Sequence, residues 1–245
     1  MMRILSLLLA AISLFVLACI VFQRKLLYYP THHHEANGLS QWRHGGQSIG
    51  YAREVQSPDN VWLMVHGNGG QASDRAYALS SFSGRDAIFI LEYPGYGARA
   101  GSPSMKAFDA AAKEAYRALR SRYPGTPVCV AAESLGSGPA SALANVPDPP
   151  DKIVLIVPFD TLPRVAAHHF PLIPARLFLL DDWNNIEALG GYRGPVEIFA
   201  ARDDEIIPIA HARALAESKP LAVFHEIAGG HNDWADNGRV KIHNP

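Results

Sequence analysis

The stretch Val128–Cys129–Val130–Ala131–Ala132–Glu133–Ser134–Leu135–Gly136–Ser137–Gly138 decides how the rest of the chain is read. It opens as a β-branched apolar run, the pattern of a strand buried on both faces. It then turns through Ser134 into small residues and a segment, Pro139 to Asn145, that reads as a helix. A chain that bends sharply from strand to helix at a serine needs small side chains two positions before and after it. Ala132 and Gly136 provide them, so the stretch matches the nucleophile elbow, with Ala132 at the first glycine of G-x-S-x-G. Taken alone, it equally describes a serine in a tight turn.

Working outward, apolar segments end repeatedly in loops of polar and small residues. Ser48–Val55 and Val61–Val65 read as β segments joined by a turn at Ser57–Asn60, and the second runs into His66–Gly67–Asn68–Gly69–Gly70. Such a loop leaves backbone N–H groups facing a ligand, and Asn68 and Leu135 are the expected oxyanion donors. Ala87–Leu91 is a further strand, and Met105–Arg122 a helix with apolar residues at near-helical spacing, stopped by Pro124–Gly125. Ile153–Val157 and Val196–Ala200 are strands, Ile209–Glu217 a helix and Ala222–Ile227 the last strand. Strands alternating with helices predict an α/β fold, a mostly parallel sheet flanked by helices, with ligands at the carboxyl ends of the strands. Between Thr161 and Arg193 the alternation breaks into a proline- and aromatic-rich segment, including Phe170–Pro171–Leu172–Ile173–Pro174 and Leu177–Phe178–Leu179–Leu180, expected to form a small cap. Its apolar character suits an acyl chain and core packing alike.

Two loops after strands carry the partners that a serine nucleophile requires, a base to take its proton and an acid to orient the base. Gly230–His231–Asn232–Asp233 supplies His231, while His211, His225, His168 and His169 lie outside a small-residue loop after the terminal strand. For the acid, Asp203, Asp204 and Asp160 compete. Asp204 leads because Asp204–Glu205–Ile206–Ile207–Pro208 fits a D-x-x-[VI]-P turn. The expected catalytic set is Ser134, Asp204 and His231.

The N-terminal residues Ile4–Phe22 carry no charge and, as a helix, would reach roughly 28 Å, close to a bilayer's hydrocarbon thickness. Residues 1–25 are expected to be a single-pass membrane anchor, residues 26–47 a lead-in, and residues 48–245 the domain carrying the cap at 161–193. A cleaved signal peptide and a secreted or periplasmic protein form the alternative. Thr31–His32–His33–His34–Glu35 has zinc-compatible side chains, but adjacent residues seldom converge on one ion, and no metal or organic cofactor is expected. A formal net charge of −1 over 245 residues argues against a nucleic-acid partner. The two cysteines, Cys19 in the apolar run and Cys129 in a core strand, do not suggest a disulfide.

Together these residues resemble the membrane-anchored α/β-hydrolases, the serine aminopeptidase-like group that includes protein depalmitoylases and lysophospholipid lipases. The resemblance rests on Phe22–Pro30, His66–Gly67–Asn68, Glu92–Tyr93–Pro94–Gly95–Tyr96–Gly97, Ser134–Leu135–Gly136, Pro158–Phe159–Asp160, Asp204–Pro208 and Gly230–Asp233. It implies an α/β-hydrolase fold with Ser134, Asp204 and His231 as triad. It implies hydrolysis of a carboxylic ester or thioester, with a small-molecule or lipidated acyl substrate. A serine peptidase of the same mechanism and a non-catalytic interaction protein on the same scaffold are the rivals. Aminoacyl amides tested beside short esters, and reaction of the serine with a fluorophosphonate, discriminate them. Two features depart from the family pattern, Ala132 in place of glycine and the short stretch between His231 and Pro245.

Overall fold

The computed structural model describes residues 2–171 and 178–245, with the side chains of residues 2, 5, 8, 9, 11, 12 and 237 outside that description. After a first helix, α1 (Met2–Leu27), come strands β1 (Ser40–His44), β2 (Gln47–Arg53), β3 (Val61–Val65) and β4 (Ala87–Leu91). Helix α2 (Met105–Arg122) leads to β5 (Val128–Glu133), α3 (Ser137–Ala142) and β6 (Ile153–Ile156). Helices α4 (Leu162–His169) and α5 (Asn185–Leu189) precede β7 (Val196–Ala201), α6 (Ile209–Glu217) and β8 (Val223–Ile227).

The strands form one sheet in the order β1-β2-β4-β3-β5-β6-β7-β8, parallel from β4 through β8 and antiparallel at the β1 and β2 edge. The side-chain period of two sorts each central strand between two cores. Val61, Leu63 and Val65 of β3 face α2, where Phe108, Ala112, Ala115 and Leu119 pack, while Trp62 and Met64 face the 3₁₀ segment Ala72–Ser81. Each such fully buried aliphatic side chain stabilises the fold by roughly 1.5–3 kcal/mol relative to exposure. Helix α2 begins where the Ser104 hydroxyl accepts from the Ala107 N–H at 3.2 Å, an N-cap that satisfies one of its free donors.

The sheet order reverses at β3. The chain leaves β3 for β4 on one side and returns to β5 on the other, so the loops after β3 and β5 open a crevice at the strands' carboxyl ends. The described part of the segment between β6 and β7 meets α3, where Trp183 stands against Gly138 and Asn185 bonds Ser137. Its base is closed by a bridge between Thr161 and Asn184 and by the Leu162 N–H donating to the Trp183 carbonyl at 2.9 Å. Of the apolar residues expected to form the cap, 172–177 lie outside the described residues.

At the N-terminus the expected transmembrane span is corrected. Residues 2–27 do form one helix, but among the described residues no helix is long and apolar enough to cross a membrane. The last turns of α1 carry Gln23, Arg24 and Lys25 and are bonded to the domain. The Arg24 guanidinium donates to both oxygens of Asp181 at 2.9 and 3.1 Å, and buried Tyr28 packs against Phe108 with ring centroids 5.1 Å apart.

Candidate active site

Ser134 follows β5 with φ of +51°, in the left-handed region that non-glycine residues seldom adopt. That turn starts a 3₁₀ turn, Ser134–Gly136, which continues into α3. The strand-to-helix bend holds the backbone against β3. A Cβ on Gly136 would stand 2.2 Å from the Val65 carbonyl oxygen and 2.7 Å from that of His66, so only glycine fits there. Ala132, fully buried on β5, is paired in register with Val65 and Leu155 and fills the other small position. Behind the turn, the Ser137 hydroxyl donates to the Ser134 carbonyl at 2.7 Å, and Asn185 of α5 donates to the Ser137 oxygen at 3.0 Å.

The loops after β5, β7 and β8 bring Ser134, Asp204 and His231 together. Asp204 Oδ1 accepts the N–H groups of Ile206 at 2.9 Å and Ile207 at 2.7 Å, which fixes the carboxylate and leaves Oδ2 for another partner. His231 Nδ1 lies 2.7 Å from that Oδ2, and His231 Nε2 lies 2.8 Å from Ser134 Oγ. An ionised carboxylate only accepts, so Nδ1 carries the hydrogen, and neutral Nε2 is left as acceptor for the serine hydroxyl. The side chains of His231 and Asp204 are 8% and 1% exposed, which shields their hydrogen bond from water, while Ser134 is partly exposed.

The other expected acids and bases lie elsewhere. Asp160, fully buried, accepts from the Thr161 N–H, from His211 Nδ1 at 2.8 Å and from Arg164. Burial alone would raise the Asp160 carboxyl, but His211, the Thr161 amide and Arg164 together hold it below the usual carboxylate range. Asp203 joins the histidine loop through its backbone, its N–H donating to the Gly229 carbonyl at 3.1 Å. His225 pairs with Glu197 at 2.9 Å, and His169 bonds the Ile206 carbonyl at 2.7 Å. In the histidine run, His33 pairs with Asp74 at 2.6 Å and His32 bonds the Gly97 carbonyl at 2.8 Å. Among the described residues no three or more His, Cys, Asp or Glu side chains come together as a metal site would need.

Val65 of β3 pairs with Ala132 of β5, so the loops that carry Asn68 and Leu135 leave neighbouring parallel strands at the same end of the sheet. The Asn68 loop is pinned where the Gly67 N–H donates to Glu133 Oε1 at 2.8 Å.

Glu133 is the residue whose importance the sequence reading missed. Its buried carboxylate also accepts from Arg75, from the Tyr77 hydroxyl at 2.9 Å and from the Trp234 indole N–H at 3.1 Å. Burial would push this carboxyl up, yet Arg75, the Gly67 amide and Tyr77 outweigh it and hold it below the usual range. The visible signal was a single carboxylate at the end of an otherwise apolar strand, since a buried charge demands partners.

The fold and this site can be set beside known proteins. No family model matches the chain. An uncharacterised protein of Mycobacterium tuberculosis is 35% identical over 178 residues, covering 70% of this chain and 62% of that one. Human alpha/beta hydrolase domain-containing protein 17B is 33% identical over 178 residues, covering 70% of this chain and 60% of that one. The chain thus spans a little under two thirds of the length of these relatives. Among solved structures, an esterase from Pyrococcus furiosus superposes with a TM-score of 0.63 at 13% identity, over 84% of this chain and 91% of that one, a likeness of fold. The relatives share sequence with most of this chain, and the solved structures share its architecture, an α/β-hydrolase fold.

Proposed function

We propose that the protein is a serine hydrolase that cleaves carboxylic esters or thioesters of acyl-chain substrates through an acyl-enzyme. The observation that carries this reading is the chain of hydrogen bonds from Ser134 through His231 to Asp204, at 2.8 and 2.7 Å, centred on a serine in the left-handed region. In the reaction, Ser134 Oγ attacks the acyl carbon while its proton passes to His231 Nε2. Negative charge on the carbonyl oxygen is met by the N–H groups of Asn68 and Leu135. Collapse of the tetrahedral intermediate breaks the bond to the alcohol or thiol, which leaves with the proton from His231. Water, deprotonated by His231, then attacks the acyl carbon, releases the acid and restores Ser134. Asp204 stays ionised and holds the imidazole in the required tautomer. These steps draw on side chains and backbone amides of this chain and on water.

We also propose that the protein works at a lipid surface. Ile4, Leu7, Leu14, Phe15 and Val21 of α1 are exposed, an apolar covering that water disfavours and lipid accepts. Residence beside a bilayer favours substrates with acyl chains.

The test is fluorophosphonate labelling of the folded full chain followed by a panel of p-nitrophenyl esters, acyl thioesters and aminoacyl amides. Labelling at Ser134 with turnover of esters or thioesters is expected. A folded protein that does not label, or one that turns over the amides alone, overturns the reading.

A further inference from the structure

Helix α1 ends directly against the loop that carries Asn68. The Asn68 side-chain amide donates to the Leu27 carbonyl at 2.5 Å, and its oxygen accepts from the Tyr29 N–H at 3.3 Å and from the Tyr96 hydroxyl at 2.9 Å. Beyond it the two segments pair as a short parallel bridge at Pro30 and Gly70. The Gly70 N–H donates to the Tyr29 carbonyl at 3.2 Å, and the Thr31 N–H to the Gly70 carbonyl at 3.1 Å. The same helix end is bonded to the returning edge of the cap. Asp181 accepts from Arg24, from the Tyr28 hydroxyl at 2.9 Å and from the Met105 N–H at 3.1 Å, and Gln23 bonds the backbone of Phe178 and Leu180 at 3.1 and 2.7 Å.

A helix needing only to tether the domain has no use for so many bonds to one loop. The exit of α1 reaches the loop through a single side chain, because Asn68 is at once the partner of Leu27 and Tyr29 and the residue whose N–H the serine-hydrolase reading assigns to the oxyanion. We propose that the segment Leu27–Thr31 is a positioning element of the oxyanion hole, acting through the Asn68 side chain, so that the seating of α1 on the domain controls turnover at Ser134. The inference rests on the serine-hydrolase reading and adds a route by which events at α1 reach the chemistry. Lipid that draws α1 outward or settles it inward shifts the Leu27 carbonyl, and the Asn68 amide follows. An oxyanion donor is effective only when aimed, so a small displacement is felt in kcat rather than in binding.

The test measures hydrolysis of p-nitrophenyl butyrate by the detergent-solubilised full chain, with active sites counted by fluorophosphonate titration so that unfolded protein does not enter the rate. Asn68→Ala and Asn68→Asp both lose the bond to Leu27. Each is expected to lower kcat by about tenfold to a hundredfold, short of the loss of a whole oxyanion donor, with KM within about threefold. Arg24→Ala, with Arg24→Lys where the first does not fold, loosens the seat of α1 and is expected to lower kcat in the native background. In the Asn68→Ala background it has no further effect, the signature of two residues acting in series. Asn68→Ala and Asn68→Asp with kcat within twofold of the unsubstituted chain, or Arg24 and Asn68 effects that multiply independently, overturn the inference. Failure of the unsubstituted chain to label overturns instead the serine-hydrolase reading beneath it.

Discussion

The Trp234 indole N–H donates to Glu133 Oε2 at 3.1 Å, joining the residue just before Ser134 to one three positions after His231. Trp234 is buried and meets the Tyr77 ring edge-on at 5.6 Å, and Tyr77 bonds the same Glu133 oxygen. The histidine loop is thus anchored to the strand that carries the serine. Further along, the Gly230 N–H donates to Asp233 Oδ2 at 2.8 Å, and the Ile242 N–H donates to the Ser81 carbonyl at 2.8 Å. These bonds, with buried Val240 and Ile242, hold the loop of His231 in place.

Trp234→Phe keeps the ring and removes the indole donor. It is expected to lower stability by about 1–3 kcal/mol, because one oxygen of a buried carboxylate loses a partner, and to widen the distribution of His231 positions. Urea unfolding measures the first. A drop in kcat larger than the drop in fluorophosphonate-titrated sites measures the second.

Acid lowers the stability of this fold through Glu133 and Asp160. Both carboxyls are held below their ordinary values in the folded chain, so the unfolded chain binds more protons than the folded one at acid pH. Their stabilisation is complete above the unfolded value, about 4, and is lost as pH falls through the folded value. Urea midpoints measured from pH 6 to pH 3 are expected to fall in that window. Glu133→Gln is expected to start lower at pH 6 and to fall less steeply.

Asp204→Asn and Asp160→Asn separate the two buried acids. The first leaves His231 without its orienting carboxylate and is expected to cost on the order of 10⁴ in kcat with the fold retained. The second disturbs the contacts to His211 and Arg164 and is expected to appear as a lower melting temperature, with a far smaller change in kcat. Turnover and thermal unfolding on both variants check this.

Ser134→Ala is expected to abolish labelling and to lower turnover by about 10⁴–10⁶-fold without loss of folding. Gly136→Ala is expected to fail differently. Its methyl group would press into the Val65 and His66 carbonyls, costing about 3 kcal/mol or more, so the soluble yield falls before activity can be compared. Circular dichroism and soluble expression distinguish the two.

Much of this was legible in the sequence, for identifiable reasons. The runs Val61–Val65, Ala87–Leu91 and Val128–Glu133 are strands as expected, because residues buried on both faces leave an unmistakable apolar signature. Helix α2 spans Met105–Arg122 as read, with an N-cap serine and an apolar stripe marking it. Strand β1, Ser40–His44, was not foreseen. Its burial pattern shows one buried residue, Trp42, among exposed ones, and an edge strand paired on one side needs no more. The uncharged N-terminal run predicts a membrane crossing, whereas residues 2–27 form a helix and among the described residues no helix is long and apolar enough to cross a membrane.

By itself the sequence determined what depends on neighbours along the chain. The elbow at Ser134, the turn at Asp204 and the small-residue loop at His231 are local, because backbone bends select residues within a few positions. Which distant groups meet depends on how the sheet is assembled. Asp204 rather than Asp160 or Asp203 has its side chain against His231, since a carboxylate oxygen freed by two backbone N–H groups must lie within about 3 Å of the ring. Likewise the convergence of Gly67, Arg75, Tyr77 and Trp234 on Glu133, and of Leu27 and Tyr29 on Asn68, has no pattern in sequence. A buried charge or amide states that it needs partners. The packing of the sheet determines which residues they are.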